Sequence, residues 1–133
     1  MSQENVEIVR RAYDAFVRGD TTQAFADIDA GCVATRVAPM PDITPYYGPE
    51  GLVQMLADWL EGFDDFEMVP GEYVDANDKQ VLLRMHQRAL GAQSGVPIKA
   101  DFWFVNTMQN LKIVRIDIYG SASQALKAVG LEG

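Results

Sequence analysis

The sequence contains few of the residues from which metal, disulfide and cofactor sites are built. Its 133 residues include one cysteine and one histidine, which excludes an internal disulfide and a cysteine-built zinc site. No glycine-rich segment has the spacing of a phosphate-binding loop, and no G-x-S-x-G segment marks a nucleophile elbow. We therefore expect no metal and no cofactor, and we interpret the lone Cys32 as structural and as typical of a reducing cytoplasm.

Basic residues and long apolar runs are also scarce. Eleven lysines and arginines stand against 19 acids, a formal net charge of −8, whereas binding to nucleic acid or an anionic membrane needs a basic patch. No apolar run approaches the roughly 20 residues of a membrane span, and the first residues lack a secretory pattern. These absences predict a cytoplasmic protein that binds neither nucleic acid nor membrane.

The chain does contain enough apolar sequence for one hydrophobic core. Apolar residues make up 48% of it, and its length suits a single domain spanning residues 1–133. Apolar positions at helical spacing predict three helices, within 2–19, 20–31 and 49–62. Ser2 is the expected N-cap of the first, and Pro49 suits the first turn of the third.

Strand patterns follow the helices. A short strand is expected at 32–37, and longer ones at 66–75, 80–90, 96–108 and 112–119, before a short C-terminal helix that Ser121 or Ser123 caps and Gly130 ends. Pro70 and Gly71 indicate a bulge or an edge strand. Helices followed by antiparallel strands predict an α+β fold, in which a curved sheet carries helices on one face.

The segment 38–49 contains four prolines, which argue against regular structure there. It also contains aromatic residues, among them Tyr46 and Tyr47, and an aromatic loop of this kind usually folds back over the protein. Two interpretations stay open: a lid or pocket rim, and a loop that seals one end of the core.

The last strand alternates strictly. Its two faces carry Arg115, Asp117 and Tyr119 on one side and Val114, Ile116 and Ile118 on the other. The polar face is either a solvated surface or the wall of a polar pocket. The pattern alone favours a solvated surface.

Three stretches together resemble the SnoaL-like, or polyketide cyclase-like, branch of the nuclear transport factor 2-like superfamily. They are SQENVEIVRRAYDAFVRGD, YYGPEGLVQMLADWLEGFDDF and KIVRIDIYGSASQALKAVGL. The resemblance implies a cone-shaped, strongly bent, mostly antiparallel sheet wrapped around N-terminal helices. It also implies a pocket between sheet and helices, and a homodimer formed through the outer face of the sheet.

The resemblance also implies a site. In epoxide-hydrolase members an acid at the position of Asp117 points into the pocket, which would place Arg115 and Tyr119 on the pocket wall and turn the apolar face outward. Arg84 matches the arginine of those members, but His86 stands where their second acid would be, so epoxide hydrolysis is disfavoured. The ketosteroid isomerase pattern fails at all three of its functional positions, one of which Trp103 occupies.

The leading hypothesis is a cofactor-free enzyme that moves a proton on a hydrophobic small molecule, by cyclisation, isomerisation, hydration or dehydration. The expected catalytic residues are Asp117 as acid or base, His86 as its partner, and Arg84 and Tyr119 as donors to an oxyanion. The expected substrate-binding residues are Arg115, Asp101, Trp103, Trp59, Tyr13, Phe16, Tyr46 and Tyr47.

Each of these assignments has a structural alternative. Asp117 could form a salt bridge with Arg115 or Arg84 and do nothing more, His86 could be a hydrogen-bonded surface residue, and the aromatic residues could fill the core. At the level of the whole protein, the alternatives are a non-catalytic binding protein and a dimerisation module whose cavity is filled by its own side chains.

Overall fold

Four helices and six strands make up the part of the chain that the computed structural model describes, residues 2–36 and 45–131. In chain order they are α1 (Ser2–Val17), α2 (Thr21–Ala26), β1 (Ile28–Arg36), β2 (Tyr46–Tyr47), α3 (Gly48–Leu60), β3 (Phe63–Asn77), β4 (Gln80–Gly91), β5 (Pro97–Gln109), β6 (Lys112–Tyr119) and α4 (Ala122–Ala128). The strands form one curved, unclosed sheet in the order β2-β1-β6-β5-β4-β3. Its pairs are antiparallel except β1 and β6, which are parallel. The predicted α+β class is confirmed.

Helix α1 buries the apolar stripe that the sequence shows. Its most buried side chains include Val6, Val9, Ala12 and Tyr13, and they join the main core with residues of β4, β5 and β6. The expected N-cap function of Ser2 concerns a side chain outside the described part of the structure. Helix α1 therefore lies against the inner face of the sheet, as its periodicity predicts.

Helix α2 is shorter than predicted. Asp20 caps it, because its Oδ1 accepts a hydrogen bond from the Gln23 amide at 3.1 Å. The helix ends at Ala26, whereas we expected it to continue to Gly31, which lies instead in β1. Pairing between β1 and β6, which aligns Ile28 with Ile113, supplies the backbone hydrogen bonds that a longer helix would have supplied.

The proline-rich segment is only partly described. Residues 37–44, which include most of the predicted lid, lie outside the described residues. Tyr46 and Tyr47 were expected to have no regular structure but form β2, opposite Ala34 and Val33 of β1. Pro49 lies in the first turn of α3, as predicted.

Strand β3 confirms both interpretations of the Pro70-Gly71 pair. It is an edge strand, and its register with β4 shifts between Pro70 and Tyr73. The bulge leaves room for a neighbouring side chain: a Cβ on Gly71 would lie 2.7 Å from Nε2 of His86 and 2.9 Å from the backbone oxygen of Arg84. Glycine is therefore required at this position for the His86 ring to lie where it does.

Strand β6 faces the opposite way from the arrangement that the resemblance implies. Ile116 and Ile118 are buried against the helices, and Arg115 is exposed on the other face. The register with β5 shifts at this point, so Ile113 lies on the same face as the other two isoleucines. Burying each isoleucine is worth about 1.5–3 kcal/mol, whereas an inward Arg115 and Asp117 would lose their hydration. The expected outward isoleucines and inward acid are therefore a wrong prediction.

Helix α4 packs on the outer face of the sheet, so the helices do not all lie on one face as predicted. Ser121 caps it, accepting from the Gln124 amide at 3.4 Å, and Gly130 ends it with a φ of 78°. Its buried side chains pack with Leu82 and Val105 in a second, smaller apolar cluster. The polar residues of the outer face lie beside this cluster.

Candidate functional site

An apolar cavity of about 200 Å³ lies between the helices α1, α2 and α3 and the inner face of the sheet. Five aromatic side chains form much of its wall: Tyr13, Phe16, Phe25, Trp59 and Phe104. The rings of Trp59 and Phe104 are stacked with centroids 6.4 Å apart, and Tyr13 meets Phe104 edge-on at 5.8 Å. These contacts hold the walls in fixed orientations.

The exposure of the lining residues shows where the cavity opens. Met85 and Ile113 at the sheet are fully buried, Phe25 is half-buried, and Thr21 on α2 and Val53 on α3 are exposed. Helix α2 packs mainly on α1, and α3 packs mainly on β1 and β2. The mouth of the cavity therefore lies between α2 and α3. Val53 is 53% exposed at this mouth.

Two polar groups of the inner wall, the Tyr13 hydroxyl and the Trp59 indole nitrogen, are hydrogen-bonded to protein. The Tyr13 hydroxyl donates to Oδ1 of Asn106 at 2.7 Å, and Nε1 of Trp59 donates to Oε1 of Gln87 at 2.9 Å. The Asn106 amide nitrogen in turn donates to the backbone oxygens of Val81 and Phe104, which fixes its oxygen toward Tyr13.

These hydrogen bonds bear on the chemistry that the wall can support. Burial raises the pKa of Tyr13 well above its ordinary value, so its hydroxyl stays protonated and donates to Asn106. Among the described residues, the lining contains no acid, histidine, lysine or arginine. The part of the lining that the structure describes therefore lacks the charged or titratable groups on which acid–base catalysis usually depends.

Four of the predicted site residues form a cluster on the outer face of the sheet. His86 Nδ1 and Asp101 Oδ1 are 2.7 Å apart, and Arg84 donates to Asp101 Oδ2 through Nε at 3.1 Å and Nη2 at 2.7 Å. The Arg84 and His86 hydrogen bonds lower the pKa of Asp101, so its carboxylate is ionised and accepts a hydrogen bond from Nδ1–H of His86. Arg84 also lies over the Trp103 ring at 5.9 Å. We call these four residues the outer-face cluster.

Asp117 belongs to a separate ion pair on the same outer face. Thr35 donates to its Oδ1 at 2.5 Å, and Nε of Arg115 donates to Oδ2 at 2.9 Å. Asp117 of β6 pairs with Val105 of β5, whereas His86 of β4 pairs with Asp101 of β5. These two positions of β5 are four residues apart, a separation of about 13 Å along the strand. The predicted Asp117–His86 couple is therefore not formed in this structure. The salt-bridge alternative describes the geometry of Asp117.

The predicted site residues thus divide between the two sides of the sheet. Those that line the cavity are Tyr13, Phe16 and Trp59. Those on the outer face are Arg84, His86, Asp101, Trp103, Arg115, Asp117 and Tyr119. Their catalytic and binding roles stay predictions, but their expected position inside the pocket is wrong.

The two tyrosines of the proline-rich segment do not line the cavity. Tyr46 accepts a hydrogen bond from Arg36 Nη2 at 3.0 Å and donates to Asp58 Oδ2 at 2.7 Å, so it links β1 to α3. Tyr47 is 67% exposed. Their predicted contact with a ligand in this cavity is not supported by their positions.

Sequence reasoning missed several residues of the wall, above all the methionines. Met55, Met68 and Met85 line the cavity from α3, β3 and β4. The signal for Met55 was present, because it shares a helical face with Leu52 and Trp59. Met85 lies between Arg84 and His86 in β4 and therefore faces the opposite side of the sheet from them. Because Arg84 and His86 were placed on the pocket wall, Met85 was not predicted to line the pocket.

Cys32 is buried, and burial raises the pKa of its thiol to about 11, which agrees with a structural role. In residues 2–36 and 45–131 no three histidine, cysteine, aspartate or glutamate side chains are grouped so that they could hold a metal ion. No helix in the described part of the chain is long and apolar enough to cross a membrane.

Solved structures with the same architecture assign the fold. An NTF2-like protein from Burkholderia thailandensis E264 is 22% identical, with a TM-score of 0.76 over 92% of this chain and 96% of that one. A candidate SnoaL-like polyketide cyclase from Jannaschia sp. CCS1 is 15% identical, with a TM-score of 0.73 over 98% and 94%. TerC, crystallised with polyporic acid, is 15% identical, with a TM-score of 0.75 over 96% and 98%. The fold is thus of the NTF2-like class.

The sequence places the chain more narrowly within that class. The SnoaL-like domain family matches residues 9–116. No protein of curated function matches. The chain belongs to the SnoaL-like domain family, which confirms the family that the three sequence stretches indicated.

Proposed function

We propose that the protein binds a small apolar molecule in the cavity between its helices and the inner face of the sheet, without chemically changing it. One observation carries this proposal: the described lining has no ionisable acid or base apart from the hydrogen-bonded Tyr13, and the predicted acid–base residues lie on the opposite face of the sheet. A concave, apolar and partly open cavity is the usual form of a small-molecule site.

A polyketide cyclase-like reaction is the alternative that the family suggests. It would need a group that takes a proton from the substrate and a donor for the resulting oxyanion, both within hydrogen-bond reach. Asp117 and His86 are each bonded to other residues on the outer face. The apolar wall therefore supports binding better than it supports this reaction. Dimerisation through the outer face, which the resemblance implies, also stays a prediction.

The proposal is tested by thermal unfolding with and without toluene or cyclohexane. A ligand that binds only the native state stabilises it by RT ln(1 + L/Kd), where L is the ligand concentration, so the unfolding temperature rises as the ligand concentration exceeds Kd. Ala12 lines the cavity and is 3% exposed, so Ala12→Phe fills the cavity with a ring. Ala57 lies on the exposed side of α3, so Ala57→Phe adds the same ring outside the cavity.

We expect both compounds to stabilise the native chain and the Ala57→Phe variant, and to leave the unfolding temperature of folded Ala12→Phe unchanged. The absence of any stabilisation of the native chain would refute binding. Turnover of lactones, epoxides or enones by the native chain, with loss in Asp117→Asn, would establish the enzymatic alternative instead.

A further inference from the structure

We infer that the ligand is an uncharged, hydrocarbon-like molecule about the size of two fused rings. The inference rests on the proposed function, because it describes what the same cavity would hold. Two independent observations support it: the volume of the cavity, and the hydrogen bonds that engage the Tyr13 and Trp59 donors with protein acceptors in the described part of its wall.

The volume of the cavity limits the size of the ligand. An apolar protein cavity of about 150 Å³ stays dry and binds benzene, and pockets for drug-sized ligands run from about 300 to 1,000 Å³. The cavity here is about 200 Å³, which is larger than the benzene cavity and smaller than the drug-sized range. It therefore has room for a second ring and not for four.

The chemistry of the cavity wall favours an uncharged ligand. The Tyr13 hydroxyl and Trp59 Nε1 donate to Asn106 and Gln87, so a carboxylate or carbonyl of a ligand placed in the interior would lose its hydration without gaining a hydrogen-bond donor from these two side chains. A carboxylate could reach water only at the mouth, where the lining residues are Thr21, Phe25 and Val53 and no cation is among them. The net charge of −8 also repels an anion.

Methionine gives the cavity some adaptability in shape. Met55, Met68 and Met85 are unbranched and polarisable, and sulfur makes favourable contacts with ring edges. Together with the five aromatic rings, they suit a rigid ring system without fixing its substituents. This wall selects by size and polarity rather than by a pattern of hydrogen bonds.

The inference is tested by calorimetric titration of the native chain with benzene, naphthalene, pyrene and 2-naphthoate. We expect naphthalene to bind about tenfold or more tightly than benzene, because it buries four further carbons. Pyrene should fail to compete with naphthalene, and 2-naphthoate should bind about a hundredfold more weakly than naphthalene. Tighter binding of pyrene, or equal binding of the anion, would overturn the inference.

A pair of variants separates size selection from general hydrophobicity. Met68→Ala enlarges the cavity, whereas Met108→Ala removes the same side chain from the core outside the lining. Pyrene should compete with naphthalene in Met68→Ala and not in Met108→Ala, and equal competition in both would contradict size selection. If a variant does not fold, the four ligands on the native chain still decide the question.

Failure of every hydrocarbon to bind or to raise the unfolding temperature would refute the proposed function itself, whereas binding in a different size order would refute only this inference.

Discussion

The inner and outer faces of β4, β5 and β6 are stabilised by different interactions, although they belong to the same strands. The inner face buries Met85, Phe104 and Ile118 beneath helices and borders the cavity. The outer face carries the outer-face cluster and the Asp117–Arg115 pair, both partly exposed. The comparison shows that acidic and basic side chains on one face of a strand, although of types common in catalytic sites, have no access to a cavity on the opposite face. The face, rather than the residue type, decides which groups can meet a ligand.

The largest expected effect is the difference in stability between variants at two adjacent residues of β6. Ile118 is fully buried on the inner face, and Asp117 lies on the outer face. Ile118→Ala should lower the free energy of unfolding by about 3 kcal/mol, through lost burial and a new cavity. Asp117→Ala should lower it by about 1 kcal/mol, because it removes a partly exposed ion pair. Urea unfolding measures both, and a larger loss for Asp117→Ala would reverse the assignment of the faces.

A smaller loss of stability is expected from a substitution where β3 approaches the outer-face cluster. Gly71→Ala would place a Cβ 2.7 Å from His86 Nε2 and 2.9 Å from the backbone of Arg84, which should lower the free energy of unfolding by about 2 kcal/mol. Gly62→Ala adds the same methyl group where nothing lies within 4 Å. Equal unfolding midpoints for the two variants would show that the bulge does not need glycine.

The mouth of the cavity should control rates rather than affinity. Val53→Trp narrows the opening, and Val69→Trp enlarges a 40%-exposed valine on the outer side of β3. For naphthalene, stopped-flow association and dissociation should both slow by about tenfold in Val53→Trp, with Kd unchanged, because only the barrier rises. Unchanged rates in Val53→Trp would place the route elsewhere, and Val69→Trp should behave as the native chain does.

The smallest effect is the pH dependence of the outer-face cluster. The Arg84 and His86 hydrogen bonds lower the pKa of Asp101 in the folded state, so its contribution to stability is present above the ordinary aspartate range. It is lost as the pH falls through the lowered pKa. The difference in unfolding free energy between the native chain and Asp101→Asn should therefore shrink from neutral pH to about pH 2. A difference that grows toward acid pH would contradict the ion pair, and Asp64→Asn on exposed β3 is the control.

The sequence predicted most of the fold because the periodicities are local. The apolar stripe of α1 and the alternation of β6 depend on neighbouring residues alone, and the bounds of β6 were predicted correctly. The end of α2 could not be predicted in the same way, because the pairing of Ile28 with Ile113 joins residues far apart in the chain. Tertiary pairing overrode the local helical pattern there.

The site was harder to predict than the fold. Alternation shows that Asp117 and Ile118 face opposite ways but does not show which face the helices cover. The pattern alone favoured a solvated polar face, and the structure agrees with that interpretation rather than with the inward acid that the relatives implied. The aromatic contribution of Tyr13, Phe16 and Trp59 was recognised because helical spacing places them toward the core.

The two tryptophans allow the central claim to be tested directly, because Trp59 lines the cavity and Trp103 lies on the outer face. Bromocyclohexane quenches indole fluorescence only on contact, so it reports which tryptophan a bound apolar molecule touches. In Trp103→Phe, which keeps Trp59, we expect saturable quenching. In Trp59→Phe, which keeps Trp103, we expect none. Saturable quenching of Trp103 with Trp59 unaffected would contradict the account and place the binding site on the outer face of the sheet.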